Sequence, residues 1–296
     1  MLFIAWGITV PADIRAATFP PWENLGVSLS AAPVYEFESS LTDGSKLDAF
    51  RIFFDASGRK NISDAISIGL RFAYDYKDFH FTGPGTSIWS NPWNEVHRLE
   101  LNSSVAYNFS PDWSLIVAPS IQFSRAGDAG WGNALAYGGV VTVSKVFTPD
   151  LTLGIGAGSF NQLEAITAFP MIAVNWRITE RLLLTNPLRP GPTGPAGLEL
   201  VYSIGDGWDA GFGGAYRMNR FRLSRTGTLS DTIGESSSIP AWLRITKSIS
   251  NDFYVDLYGG ASLSGQMNID DQNGHRFTST RVNPAPFLCL ALSARF

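Results

Sequence analysis

The sequence predicts an all-β, membrane-spanning antiparallel up-and-down barrel of fourteen strands, with twelve as the alternative count. Three observations predict it: alternation with a period of two along most of the chain, segments of ten residues or more, and connections sorted into tight turns and longer loops. A strand places successive side chains on opposite faces, so this period reads as strand and not helix. Soluble strands average about 5–6 residues, whereas a tilted strand needs about 9–11 to cross a bilayer.

The composition agrees. Of 296 residues only 16% are charged, against about 25% in an ordinary soluble domain. Aromatics at 13% exclude a disordered chain. A net charge of −4 leaves no basic footprint, so no nucleic-acid partner is expected. Cys289 is the single cysteine, which rules out a disulfide framework and a cysteine-based zinc site. No cofactor is expected, because no set of ligands for one is legible.

In chain order, residues 1–17 read as a signal-peptide remnant: an apolar run too short to span a bilayer, then Ala12, Ala16 and Ala17. The basic start of such a signal is missing. Residues 18–296 form the barrel. Candidate strands are 25–38, 47–57, 63–81, 95–109, 113–125, 134–148, 151–163, 168–178, 182–187, 196–204, 208–223, 238–249, 253–266 and 285–296. Strands 182–187 and 196–204 are the weakest and flank a Pro/Gly stretch; losing them gives the count of twelve. Tight turns such as Ser110-Pro111-Asp112 and Gly205-Asp206-Gly207 carry turn chemistry. The longer connections are Ser39–Lys46, Thr82–Asn94, Ala126–Asn133, Asn161–Thr167, Asn186–Pro195, Ser224–Ser238 and Met267–Pro284.

Each strand has one apolar face and one face of small residues with scattered charges. A soluble barrel buries its apolar face and exposes many charges; here the reverse arrangement fits better, with apolar side chains toward lipid. The expected lumen-lining residues are Arg51, Asp55, Arg71, Asp75, Arg98, Glu100, Arg177, Glu199, Arg217, Arg244, Asp256 and Arg295. Aromatic residues near strand ends, among them Tyr35, Tyr74, Phe79, Tyr107, Trp113, Trp208 and Phe253, read as interfacial girdles.

The last strand, Leu288-Cys289-Leu290-Ala291-Leu292-Ser293-Ala294-Arg295-Phe296, alternates and ends in Phe. Here the chain resembles Gram-negative outer-membrane β-barrel proteins, over Leu25 to Phe296. The resemblance implies a bacterial outer-membrane location, contact with outer-membrane lipid and lipopolysaccharide, and a barrel-assembly machinery that reads Phe296. It also implies that the tight turns are periplasmic and the long loops external.

Two sites carry chemistry worth weighing. Asp78 and His80 face Glu95 and His97 across the Thr82–Asn94 loop, at the outer rim. With Ser87 or Ser90 they would form a hydrolase site; alone they would form a divalent-metal site. The bland reading, polar rim residues in water and headgroups, is the better one, so neither catalysis nor a metal is expected. Arg217, Arg220, Arg222 and Arg225 would anchor a strand at the charged membrane surface, or attract an anion. The expected function is a porin-like passive channel for small solutes, or a structural barrel with a closed lumen. Balanced lumen charges imply little ion preference, and Met267–Pro284 is the expected inward loop. The alternatives are a rim-located lipid-modifying enzyme and a hydrophobic-ligand transporter plugged by Ala17–Asn24.

Overall fold

A computed structural model of the chain describes residues 25–84, 87–187, 191–194 and 196–296. The expected signal remnant and the Ala17–Asn24 segment lie outside the described residues.

The strands follow the alternation. In chain order they begin with β1 (Leu25–Ser40), β2 (Lys46–Asn61), β3 (Ile66–Thr82), β4 (Glu95–Ser110) and β5 (Trp113–Ala126). Next come β6 (Leu135–Thr148), β7 (Leu151–Gln162), β8 (Ala165–Thr179), β9 (Leu182–Thr185) and β10 (Gly197–Gly205). The series ends with β11 (Trp208–Ala215), β12 (Arg217–Arg222), β13 (Ile233–Ser248), β14 (Phe253–Asp270), β15 (Arg276–Val282) and β16 (Ala285–Arg295). Neighbours in sequence pair antiparallel from β1 to β11; β13 then pairs with β11 and β14, and β14 with β16. Val34 opposite Cys289 closes the ring between β1 and β16. The wall therefore has fourteen strands, because β12 prolongs the line of β11 and β15 that of β16. Closure pairs the first strand with the last, so neither terminal strand presents an edge to lipid.

The two faces are sorted as the alternation requires. On β16, Leu288, Leu290 and Leu292 are exposed, whereas Cys289 and Ala291 are buried. At the tight-turn end, cations sit over the aromatic rings: Lys145 over Trp113 at 5.2 Å, Lys247 over Trp208 at 4.8 Å and Arg295 over Tyr254 at 5.1 Å. Amphipathic rings of this kind suit a headgroup layer. Phe79 is a correction: it is 4% exposed and faces inward, since it has the opposite phase to Tyr74 and Tyr76.

A crease runs across the last strands at one level. The line of β11 breaks at Tyr216, the β13–β14 register shifts between Ser237 and Ile239, Ser264 has φ 51°, and Asn283–Pro284 separates β15 from β16. Extending the neighbouring registers places these positions side by side. One extra residue in β14 makes a bulge, which bends a strand. Beyond the crease, β12, β13, β14 and β15 form a four-stranded sheet that folds inward across the barrel's loop end. Phe221, Leu223, Met267 and Ile269 from this sheet pack with Phe79, Val96, Trp89 and Trp93 in a buried core.

Two expected loops are thereby corrected. Met267–Pro284 is not a loop but the β14–β15 hairpin, with Met267 opposite Thr280. Asn161–Thr167 tightens to a two-residue turn, Leu163 and Glu164, both at positive φ. The weak pair β9 and β10 is present, with Leu184 opposite both Trp176 and Leu200, so the count is fourteen and not twelve.

Candidate functional site: the filled lumen

The inward face of the wall carries paired charges. Arg51 donates to both carboxylate oxygens of Asp75, Arg71 donates to Asp55, and Lys77 Nζ lies 3.0 Å from both oxygens of Glu36. Arg244, 1% exposed, donates to Glu199 through Nε at 2.8 Å and Nη2 at 2.9 Å, and lies 3.3 Å from Asp256. Trp242 Nε1 also donates to Glu199, at 3.0 Å. Buried charges persist only when paired and hydrogen-bonded, and these are. Arg98 is held more loosely, 3.5 Å from Asp75 and 3.9 Å from Glu100. Arg177 and Arg295 share the inward phase but are exposed at the tight-turn end.

The bore is also crossed by main chain. Past β9, the described residues Pro187, Gly191, Pro192 and Thr193 leave the wall and are buried. Gly191 lies so near β14 and β16 that a Cβ there would be 3.2 Å from Cys289 Sγ and 3.4 Å from Tyr258. Arg217 Nη1 donates to the carbonyls of Gly191, at 2.8 Å, and Thr193, at 3.2 Å. Asn186 braces the departure point: its amide and side chain bond to Val174, and Nδ2 donates to the carbonyls of Ile172 and Gly197. The buried residues Pro187 and Gly191–Thr193 thus enter the bore in addition to the inward-folded β14–β15 hairpin.

β12 runs through the loop-end half of the bore. Its Phe221 meets the core on the β2–β5 side, while Met218 packs with Val140, Phe160 and Phe169 on the β6–β8 side. Arg220 donates to Glu235 and Asp270 at 2.8 Å, and Arg222 to Glu164 at 2.7 and 2.8 Å. Arg220 and Arg222 are 6% and 5% exposed. They do not anchor a strand at the membrane surface, as the sequence reading had it. They fix β12 inside the barrel. The sequence carried a signal for this: Arg217 to Arg222 has polar residues on both faces of the strand, and no such strand can show an apolar face to lipid.

Between β12, the inward segment and β1–β4 lies a cavity of about 70 Å³, lined in part by Arg51, Asp75, Lys77, Arg98 and Arg217. Beside β8 the wall formed by the described residues is incomplete. β8 pairs with β9 only from Asn175 onward, so Ala165–Ala173 has no strand on that side among the described residues. Pro170, which lacks an N–H, lies in this stretch, where a missing donor costs no ladder bond.

At the rim, Asp78, His80 and Glu95 are exposed and His97 is half-buried. His97 Nδ1 is 2.8 Å from Tyr74 Oη, and Nε2 is 3.9 Å from Glu95. Ser87 donates to Asp43, and Ser90 to the Ser87 carbonyl at 2.8 Å, so neither hydroxyl bonds to a histidine. No cluster of three His, Cys, Asp or Glu able to hold a metal occurs among the described residues. No helix among them is long and apolar enough to cross a membrane.

Among solved structures, the chain is similar to the COG4313 outer-membrane channel from Pseudomonas putida F1. The two share 9% identity at a TM-score of 0.49, over 98% of this chain and 100% of that one. A FadL homologue from Pseudomonas aeruginosa gives 11% identity and a TM-score of 0.47, over 92% and 89% of the two chains. The NanC porin gives 11% and 0.38, over 90% and 98%. No curated protein matches the chain. The profile of a domain of unknown function, DUF6268, matches residues 63–294, from the start of β3 almost to the end of β16, and the chain belongs to that family.

Proposed function

We propose that the protein is an outer-membrane barrel that passes small solutes through a lumen held shut by the stretch that carries Gly191–Gly194. The outward apolar face and the closed wall support a bilayer as its medium. Phe296, at the tight-turn end, would be the residue read by the barrel-assembly machinery, and lipopolysaccharide would surround the loop end. One observation carries the reading. Pro187 and Gly191–Thr193 leave the wall and are buried in the bore, where Arg217 donates to the carbonyls of Gly191 and Thr193. Side-chain hydrogen bonds of this kind are a hold that can be released, unlike a continuous strand ladder. The buried core at the loop end and the ion pairs below it support a narrow lumen over a permanently wide pore.

The test is single-channel conductance in planar bilayers, with folding checked by heat-modifiable gel mobility. Wild type is expected to be silent, and a variant with residues 187–195 replaced by a short Gly-Ser turn to show steady openings. A folded, silent variant would overturn the reading, as would steady openings of wild type.

The incomplete wall favours a second reading, passage of an apolar ligand between the lumen and the bilayer beside β8. Phe169, Met171, Tyr216 and Met218 make the lumen apolar next to that edge. Filling it with Met218→Trp would abolish uptake of an apolar solute into proteoliposomes; unchanged uptake would reject this route. The rim residues give a lipid hydrolase no comparable support.

A further inference from the structure

We propose that the cavity bounded by Arg98 and Arg217 binds the carboxylate of a small organic acid. This rests on the lumen being the functional site, and it names the class of solute that the site selects.

The argument starts from which charges around the cavity are already matched. Arg51 is committed to Asp75 through two hydrogen bonds, and Lys77 to both oxygens of Glu36. Those four groups cancel in pairs. Arg217 and Arg98 remain. Arg217 spends Nη1 on two main-chain carbonyls, which are neutral. Arg98 stands 3.5 Å from an Asp75 that Arg51 already occupies, and 3.9 Å from Glu100, which also accepts from Asn102 at 2.8 Å. Two guanidinium groups therefore border one cavity with more positive than negative charge on its lining. A guanidinium presents paired donors that match a carboxylate or a phosphate.

The rest of the lining is mixed: Asn219, Ser236, Ser238 and Ser262 add polar groups, and Val34, Val96, Met218 and Phe287 add an apolar patch. A phosphate has no apolar part to set against that patch, so the patch favours an anion with a carbon body. A carboxylate with a short apolar body matches both parts. A volume of about 70 Å³ holds a handful of water-sized atoms, which limits the body to a few carbons.

The experiment is calorimetric titration of the refolded barrel in detergent with propionate, propionamide and inorganic phosphate. Propionate is expected to bind at least about tenfold more tightly than the other two, the equivalent of a lost charge-assisted hydrogen bond. Arg98→Met is expected to weaken propionate at least about tenfold while keeping heat-modifiable mobility. Lys46→Met, an exposed rim change, is the control and leaves binding unaltered. Three results would each overturn the proposal: no propionate binding by folded wild type, equal binding of propionamide, or phosphate binding as tightly as propionate. Because conductance is not read, an absent ligand would leave the gating segment untouched, and a failed gating test would leave binding intact.

Discussion

Arg217 Nη1 reaches the carbonyl of Gly191 at 2.8 Å, and this contact joins the strand that divides the bore to the segment that crosses it. Gly191 has φ 125°, a conformation that side-chain-bearing residues rarely adopt, and no Cβ would fit there without pressing on Cys289. The seat of the segment thus depends on one residue lacking a side chain and one having a long, charged one.

Cys289 is 2% exposed and the single thiol in the chain, so it reports whether the segment is seated. Arg217→Met, or Gly191→Ala, is expected to raise its reaction rate with a thiol reagent by at least about tenfold, the loss of roughly one charged hydrogen bond. An unchanged rate in a folded variant would show that the segment is held by something else.

Glu199 matches a buried arginine, Arg244, and a buried indole. Glu199→Ala leaves that arginine with its main carboxylate missing, and such a loss costs about 3–5 kcal/mol. The pair Lys46–Glu38 is about half exposed on both sides, with side-chain exposures of 52% and 55%. Glu38→Ala should therefore change stability by less than about 1 kcal/mol. Urea unfolding in detergent micelles, followed by gel mobility, compares the two; equal effects would contradict the burial argument.

Ser264 sits at the crease with φ 51°. A glycine accepts that conformation freely, whereas a β-branched residue is strained there by about 1–2 kcal/mol. Ser264→Gly is expected to match or exceed wild type in the same unfolding series, and Ser264→Val to fall below it. If Val is tolerated as well as Gly, the bend does not depend on this torsion.

At the loop end, Asp128 accepts from the Ser224 hydroxyl and, at 3.0 Å, from the Arg225 amide, tying the β5–β6 loop to the β12–β13 loop. These bonds hold its carboxyl below the usual carboxylate range. A depressed value means that the tie is fully present above the unfolded value, about 3.9, and is lost as pH falls through the lower folded one. Exchange of the Arg225 amide, corrected for its intrinsic rate, should be flat between about pH 5 and 8 and accelerate only below about 4. Asp128→Ala should be fast throughout. Acceleration of wild type near pH 6 would assign the control to another group.

The wall was legible because lipid and lumen impose a period of two. That period places Leu288 and Leu290 outward and Arg51, Asp75 and Arg244 inward without any knowledge of partners. The interior was less legible, since it depends on contacts between distant segments. Nothing local says that Gly191 meets Cys289, or that Glu164 awaits Arg222. Loop-length arithmetic missed the β14–β15 hairpin inside Met267–Pro284, because Met267–Asp270 is buried at every position and so loses the alternation that marks a lipid-facing strand. The Pro/Gly content around Asn186 was visible, but its direction out of the wall was not.

A strand running down the middle of a tube gives its two flanks different surroundings. Toward β1–β4, β12 borders a cavity with guanidinium groups on its lining; toward β6–β8, its Met218 is packed against Val140, Phe160 and Phe169. A single short strand thus keeps a polar compartment and an apolar core back to back.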